Sequence, residues 1–534
     1  MSIFSIGLSG LRAAQSGLYT TSGNISNINT PGYNREILQL GESRTSGVSV
    51  LGSQRQFNQF VATRLNAASG SLASLETYYS QVRQIDNLLS DERSGLAPVM
   101  QKFFSALGQM NSHPADPAAR AGVLGTASTL VSQYKAFDNY LEDIERSVNN
   151  EISFEVNSIN ALTEQIATLN REILVARTGT GEAPNSLLNQ RDQLVHELSQ
   201  KLDVRVHEQK TGSYTISLSN GSPLVAGDSF YTLEAKADEN DPTRTAVFYN
   251  DVTGHQRQLS ESVFNRGTLG GLLEFRSKSL DTIRNQVGQM VAVFADAFNQ
   301  QHRQGVDLQQ QPGGDMFATG NPVAYSHARN SGTGVAQVQI TNSSELRAAD
   351  YDIRLTDTGF VVTRVDNGKP VDATFDPTTN SLSFNGVEVT LSGSVAVGDS
   401  FRIRPVVNQA QNFELLLSDG AEIAAAQSTA SGDNRNGLAM LDLQNQLLVE
   451  GSGTFNQAYG AMISTLGNQI NVVQANLAAQ QGLTEQLYML QQSESGVNLD
   501  EEAANLIRYQ QFYQANARVI DAATTILDTI LQLR

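Results

Sequence analysis

Both ends of the chain carry the same apolar period. Near the N-terminal end Phe4, Leu11, Leu18 and Ile25 recur at steps of seven with Leu8 beside them, and near the C-terminal end Leu499, Leu506, Tyr513, Ile520 and Leu527 do likewise. A seven-residue period describes a helix with one narrow seam, suited to lying along another helix. Residues 1–35 hold two charged side chains, Arg12 and Arg35, and several small residues (Ser9, Gly10, Ala13, Ala14, Ser16, Gly17) that let a neighbouring helix approach closely. A helix standing in water is more charged than this. The pattern predicts terminal coiled-coil helices, within 1–35 and 499–534, that pair with each other and are enclosed by further copies of the chain. The plainer alternative is a hairpin of termini closing one domain.

Between the ends, 534 residues suffice for three or four domains. No proline follows Pro405, and Phe455, Tyr459, Met462, Leu466, Ile470, Val473 and Leu477, continued by Leu483, Leu487 and Leu490, predict one long helix with a core stripe. Similar stripes run from Phe57 to Leu89, from Tyr134 to Ile173 and from Leu272 to Phe298. Two segments change to period two: 203–265, with Tyr214/Ile216/Leu218 before an Asn220-Gly221 turn, and 332–407, with Tyr351/Ile353/Leu355 and Val387/Val389/Leu391. The expected fold is α+β and multidomain. It comprises the terminal coiled-coil domain, a discontinuous helical bundle (36–202, 266–331 and 408–498), and two β-rich inserted domains, 203–265 and an outer one at 332–407.

Charge and composition remove whole classes of function. With 36 Lys+Arg against 54 Asp+Glu the net charge is -18, which opposes binding to nucleic acid or an anionic membrane. There is no cysteine, hence no disulfide, thiolate nucleophile or thiolate-bound metal. No run of 18 apolar residues suggests membrane insertion, and the first positive charge, Arg12, follows the apolar start instead of preceding it, unlike a cleaved signal peptide. The pairs His196-Glu197 and His207-Glu208 lack the second histidine that a zinc helix needs four residues on, where Gln200 and Thr211 stand. No nucleophile elbow, phosphate loop or calcium loop occurs, so neither enzyme activity nor any cofactor or metal is expected.

After the first helix comes S-G-N-I-S-N-I-N-T-P-G-Y-N-R, residues 22–35. Asn24, Asn27 and Asn29 supply amides at a helix end, Pro31 pushes Thr30 out of the α region, and Pro31-Gly32 suits the centre of a type II turn. This segment closely resembles the N-terminal signature of the bacterial flagellar axial proteins, the rod, hook and hook-associated family. S-G-V-N-L-D-E-E-A-A-N-L-I-R-Y-Q-Q-F-Y-Q-A-N-A-R-V-I, residues 495–520, resembles that family's other terminal signature. Asn34-Arg35 after T-P-G-Y, the acidic D-E-E string, and the strings at 187–199, 267–276 and 298–308 resemble the hook-associated members at the hook-filament junction.

The resemblance implies a structural role, with terminal helices forming an inner tube, bundles around it and β-rich domains outermost. It implies self-association in an axial layer, hook protein below and a second junction protein above, all on the flagellum outside the cell. Passage is through the flagellar type III export apparatus, with an export chaperone and no cleaved signal. Asn24, Ile25, Asn27, Asn29, Thr30, Pro31, Gly32, Tyr33 and Arg35 then form the assembly motif. Another axial protein of hook or rod type, or a helical adaptor unrelated to flagella, are the alternatives.

Overall fold

The helix α4, Pro117–Thr180, is the spine of the molecule. Asp116 caps its start by accepting from the Ala118 amide at 3.0 Å, Pro117 supplies a pre-set φ at the first position, and Gly181 closes it at φ 85°. At about 1.5 Å per residue it spans roughly 95 Å. Its buried face holds Leu141, Val148, Ile152, Ile159, Ile166 and Ile173, so the seven-residue spacing in the sequence is the face that meets the core. The structure is a computed structural model and describes residues 3–43, 47–89, 95–251, 253–430 and 432–532. The first two and last two residues of the expected terminal domain lie outside the described residues.

Around α4 pack α2 (Gln59–Leu89), α3 (Leu96–Ser112), α5 (Asn185–Lys201), α6 (Gly267–Phe275), α7 (Asp281–His302), the short α8 (Arg435–Asp442) and the first half of α9 (Phe455–Ser495), below terminal helices α1 (Ile3–Ser26) and α10 (Leu499–Gln532). Phe103, Phe294, Phe298, Phe317, Phe413 and Phe455 form one aromatic cluster, with the rings of Phe294 and Phe298 4.5 Å apart. Between α6 and α7 the segment Arg276–Leu280 is π-helical, which widens one turn and buries the Arg276 side chain.

The long α9 differs from expectation in its second half. Phe455, Tyr459, Met462, Leu466 and Ile470 are buried, but Val473, Leu477 and Leu487 are half-buried, and Val472, Leu483, Met489 and Leu490 are exposed. Beyond Ile470 no α9 residue but Ser495 is fully buried, and the helix runs mainly along α2, so only a narrow seam is covered.

The first β-rich segment contains two antiparallel sheets. One is a four-stranded meander from Val204–Glu208 to Ser229–Phe230; the other joins Leu233–Ala237, Thr245–Asn250 and Gln256–Gln258. Their inward residues Tyr214, Ile216, Leu218, Val225 and Val247 merge with the helical core. The outer segment differs in having a core of its own. Its five-stranded sheet, in which Ser400–Arg404 lies between Val323–Ser326 and Tyr351–Thr356, faces a four-stranded one, and Ile353, Val389, Leu391, Phe401 and Ile403 fill the space between them. A further hairpin that the sequence reading placed in the helical bundle, β1 (Glu36–Glu42) with β2 (Val48–Arg55), lies against α1, where Val48 N donates to Ser9 Oγ at 3.2 Å.

One buried acid on α4 makes a testable exception to good packing. Asp138 is 1% exposed and neither carboxylate oxygen has a hydrogen-bond partner among the described residues. Burial raises its pKa from 3.8 to about 6, against the attraction of Arg284 and with the help of Glu142 and Glu145. Between those two values the folded chain holds a proton that the unfolded chain has released, so this group's contribution to stability is present below about pH 4 and is lost as pH rises through 6. Asp138→Asn should stabilise the body by on the order of 2 kcal/mol at pH 7 and by little at pH 4. Thermal melts at the two pH values decide it, and an equal shift at both would refute the assignment.

Candidate assembly interface

Terminal helices α1 and α10 lie antiparallel, and the contact between them is built from small residues. Gly7 faces Ile520, Gly10 faces Asn516 and Gly17 faces the Tyr509 ring, while Ala13, Ala14, Thr21 and Asn24 complete the buried side of α1. A Cβ on Gly17 would stand 2.5 Å from the Tyr509 ring, and one on Gly7 2.8 Å from Ile520 Cγ1. The seven-spaced seam of α1 lies beside this stripe: Phe4 is exposed, and Leu11, Leu18 and Ile25 are half-buried. On α10, Leu506 and Ile520 are half-buried, whereas Leu499, Tyr513 and Leu527 are exposed, together with Ile507, Phe512, Val519 and Ile526. The pair thus keeps its small residues inward and leaves most of its apolar surface uncovered within one chain.

At the base of α1 the chain turns on the segment that follows it. Thr30 O accepts from the Tyr33 amide at 3.2 Å around Pro31-Gly32, with Gly32 at φ 75° as a type II turn requires. A Cβ on Gly32 would meet Gln193 at 2.8 Å, so this turn seats directly on α5. Asn27 Nδ2 donates to Gly23 O at 2.9 Å and its Oδ1 accepts from Thr30 Oγ1 at 3.1 Å, closing the helix end. Asn29 is exposed and its side chain has no hydrogen-bond partner among the described residues.

Asn24 is the node that joins these parts. It is 1% exposed and makes four hydrogen bonds. Its Nδ2 donates to Glu36 O at 2.9 Å and to Glu502 Oε2 at 3.2 Å, and its Oδ1 accepts from the Glu36 amide at 2.9 Å and from Tyr33 Oη at 2.8 Å. One amide thereby ties α1, the turn, β1 and α10 together with its full donor and acceptor capacity in use. Burial, with Glu36 and Glu502 nearby, pushes the Tyr33 hydroxyl up to about 12, so it remains a donor at any physiological pH.

Arg35 completes the joint from the other side. Its Nε donates to Glu502 Oε1 at 2.8 Å and its Nη1 to Glu501 Oε2 at 2.6 Å. Burial opposes its charge, but hydrogen bonds to both glutamates outweigh that and raise its pKa. Its backbone amide also donates to Ser495 O at 2.8 Å, the last residue of α9. A second connection leads into the body: Asn34 Nδ2 donates to Asn189 Oδ1 at 2.8 Å, and Arg55 pairs with Asp192, which also accepts from Tyr214 Oη at 2.7 Å. A cleft of about 1040 Å³ lies beside the joint, walled by Ile28, Pro31, His196 and Tyr488.

The structure thus brings Asn24, Tyr33 and Arg35 into one hydrogen-bonded joint, uses Asn27, Thr30, Pro31 and Gly32 to shape the turn, and leaves Asn29 outside both. Asn34 and the D-E-E string enter the sequence reading only as marks of the family, and nothing in the sequence assigns Glu501, Glu502, Asn189, Arg55 or Asp192 to a joint. The D-E-E string was visible, but acids in a first helical turn are common because they suit the helix dipole, and nothing local marks Glu502 as buried. Among the described residues no group of three His, Asp or Glu side chains could hold a metal ion, and no helix is long and apolar enough to cross a membrane.

Four segments of the chain match models of known families. Residues 82–317 match the model of the flagellar hook-associated protein FlgK helical domain, and 325–405 that of the flagellar hook-associated protein 1 D2-like domain. The ends, 4–34 and 490–533, match the flagella basal body rod protein and the flagellar basal body rod FlgEFG protein C-terminal models. The chain is 40% identical over 552 residues to the flagellar hook-associated protein 1 of Salmonella typhimurium, and 40% over 546 residues to that of Escherichia coli, each match covering all of both chains. The Bacillus subtilis protein of that name is 23% identical over 569 residues, covering 98% of this chain and 96% of its own. The solved structure of the flagellar hook junction protein FlgK from Burkholderia pseudomallei is similar with a TM-score of 0.76 at 27% identity, over 80% of this chain and 99% of that one. The chain belongs to the flagellar hook-associated protein 1 family, structural proteins of the hook-filament junction.

Proposed function

We propose that the chain assembles with copies of itself as an axial layer on the distal end of the hook, meeting hook protein below and a second junction protein above. The observation that carries this is the terminal helix pair, which packs internally through glycines and leaves Phe4, Leu499, Ile507, Phe512, Tyr513 and Leu527 exposed. Repetition of one heterologous contact between such pairs generates a ring or helical array. Asn24, Ile25, Asn27, Asn29, Thr30, Pro31, Gly32, Tyr33 and Arg35 act here as the assembly motif: the joint and turn residues among them hold the pair at a set angle to the body, so every copy presents the same surface, and Asn29 is left exposed to meet a neighbour. The role is architectural and non-catalytic. Export through the flagellar type III apparatus with a dedicated chaperone, to the outside of the cell, accompanies this role, and a chain without cysteine forms no disulfide that would obstruct passage.

Deletion of the gene tests the proposal. Hooks of normal length without filaments, with flagellin released into the medium, are the expected phenotype. Loss of hooks would assign the chain to the rod or hook, and intact flagella would remove it from the axis altogether.

A further inference from the structure

The outer β-domain is joined to the body by two short linkers, 319–322 and 405–413, which touch where Gly320 meets the Asn408 backbone. Beside them it rests on α7, where Val406 lies over Gly288, Ala292 enters the outer core and Gln289 donates to Leu346 O. These contacts form one side of the joint. The other side is made by a segment that has no chain connection to the outer domain, the loop 238–244 of the first β-rich segment.

That loop is held from both directions. Towards the outer domain, Arg404 donates through Nη1 to Asp241 Oδ2 at 2.9 Å and through Nε to Asp350 Oδ2 at 3.1 Å, and all three side chains are buried. Glu239 accepts from Arg329 Nε at 2.8 Å, and its carbonyl accepts from the Ala328 amide at 2.8 Å. Towards the body, Arg244 donates to Asp281 Oδ2 at 2.8 Å, and Asn149 of α4 donates to Thr243 O while its Oδ1 accepts from the Thr245 amide at 3.0 Å. Arg276, aimed inward by the π-helical turn, donates to Thr245 O at 2.7 Å and to Glu261 at 2.7 Å.

The composition of this joint decides what it does. Buried ion pairs contribute little net stability relative to apolar packing, but they demand one geometry. The outer domain has a core of its own in Ile353, Val389, Phe401 and Ile403, and of these ion pairs only Arg404–Asp350 lies within it, while Arg404–Asp241 joins it to the loop and Arg244–Asp281 joins the loop to the body. A cleft of about 600 Å³ lies between the three parts, and Asp281, Asn285 and Asp350 each have one buried side-chain oxygen without a hydrogen-bond partner among the described residues, as Arg404 has Nη2. Arg244, Asp281 and Asp350 line this cleft and so sit next to space into which they rehydrate when the contact opens.

We infer that loop 238–244 is a strap that sets the angle of the outer β-domain on the helical body, with Arg404 as its pin, and that its release lets the folded outer domain swing on the two linkers. The chain has no cysteine, so Glu164→Cys on α4 and Asp357→Cys on the outer domain give a clean pair of exposed label sites in the full chain. Pulsed electron-electron distance measurement should give one narrow distribution in that background. Adding Asp241→Asn with Arg404→Gln should broaden it at least twofold while amide exchange in the strands 351–356 and 387–392 stays slow. Arg244→Gln, which alters only the body side of the strap, should broaden it too. An unchanged narrow distribution in both variants would overturn the inference, as would collapse of exchange protection in those strands with Arg244→Gln, because the residues would then be holding a fold and not an angle.

Discussion

Asn24→Ala should abolish filament attachment and leave the melting of the helical body nearly unchanged. The substitution removes four hydrogen bonds at once and strands the Glu36 amide and carbonyl, the Tyr33 hydroxyl and one Glu502 oxygen around a space that a methyl group does not fill. A net loss of about 1 kcal/mol per bond, with about 1–3 kcal/mol for each polar group left buried without a partner, puts the local cost at roughly 4 kcal/mol or more. A single antiparallel helix pair with a hairpin has little margin against such a loss. The body has a separate hydrophobic core to which α1 contributes no residue, so its transition should not move. Hydrogen exchange in α1 and α10, the body's melting curve, and complementation of a deletion strain read the three effects separately. A fall of several degrees in the body's melting point, or normal filaments, would refute the separation. Asn29→Ala is the informative contrast, since the Asn29 side chain has no hydrogen-bond partner among the described residues: exchange should stay at the parental level, and any loss of attachment would then report a contact with a neighbouring copy.

Gly17→Val should split the terminal helices although it improves the helix it sits in. Valine is favoured over glycine in a helix interior by a few tenths of a kcal/mol, so propensity alone predicts a small gain. The Cβ position, however, lies 2.5 Å from the Tyr509 ring carbons, and the ring is held between α1 and its own helix. Overpacking of this kind costs about 1–3 kcal/mol, and the two branched methyl groups add to it. Gly23→Ala in the same helix meets nothing within 4 Å and should stabilise slightly. Limited proteolysis of the purified chain compares them: Gly17→Val should be cut several-fold faster near both ends than its parent, and Gly23→Ala no faster. Equal behaviour of the two variants would show that the glycine stripe does not carry the pairing.

Periodicity revealed the helices and the alternating strands, because burial on one face repeats along an element and needs no knowledge of the partner. It did not reveal which side of α1 faces α10. Leu11 and Leu18 stand out in a hydropathy pattern, whereas Gly7, Gly10 and Gly17 do not, although the glycines make the contact. The β1–β2 hairpin escaped for a different reason: its register shifts between Gln39 and Leu40, and such a bulge breaks the alternation by which a strand is read. The joint at Asn24 was legible as a polar helix stop with the right turn, and Gly32 at φ 75° fits that expectation. Its counterpart was not, because Glu502 and Arg35 are 467 residues apart and only the fold makes them neighbours. Arg404 and Asp241, 163 residues apart, were hidden in the same way.

The antiparallel pairing of α1 with α10 has a consequence for when the molecule becomes able to function. Asn24 and Glu502 are separated by 478 residues, so during synthesis the first helix waits, without its mate, until nearly everything else has emerged from the ribosome. The body waits nearly as long for α9, whose Gln480 donates to the Ala68 carbonyl of α2, 412 residues earlier in the chain. A product cut short just before residue 499 holds the segments of the body yet cannot close the terminal pair. Closure of the pair therefore requires both ends of one chain, and a copy that ends before Glu502 leaves Asn24 and Arg35 without the acid that holds them.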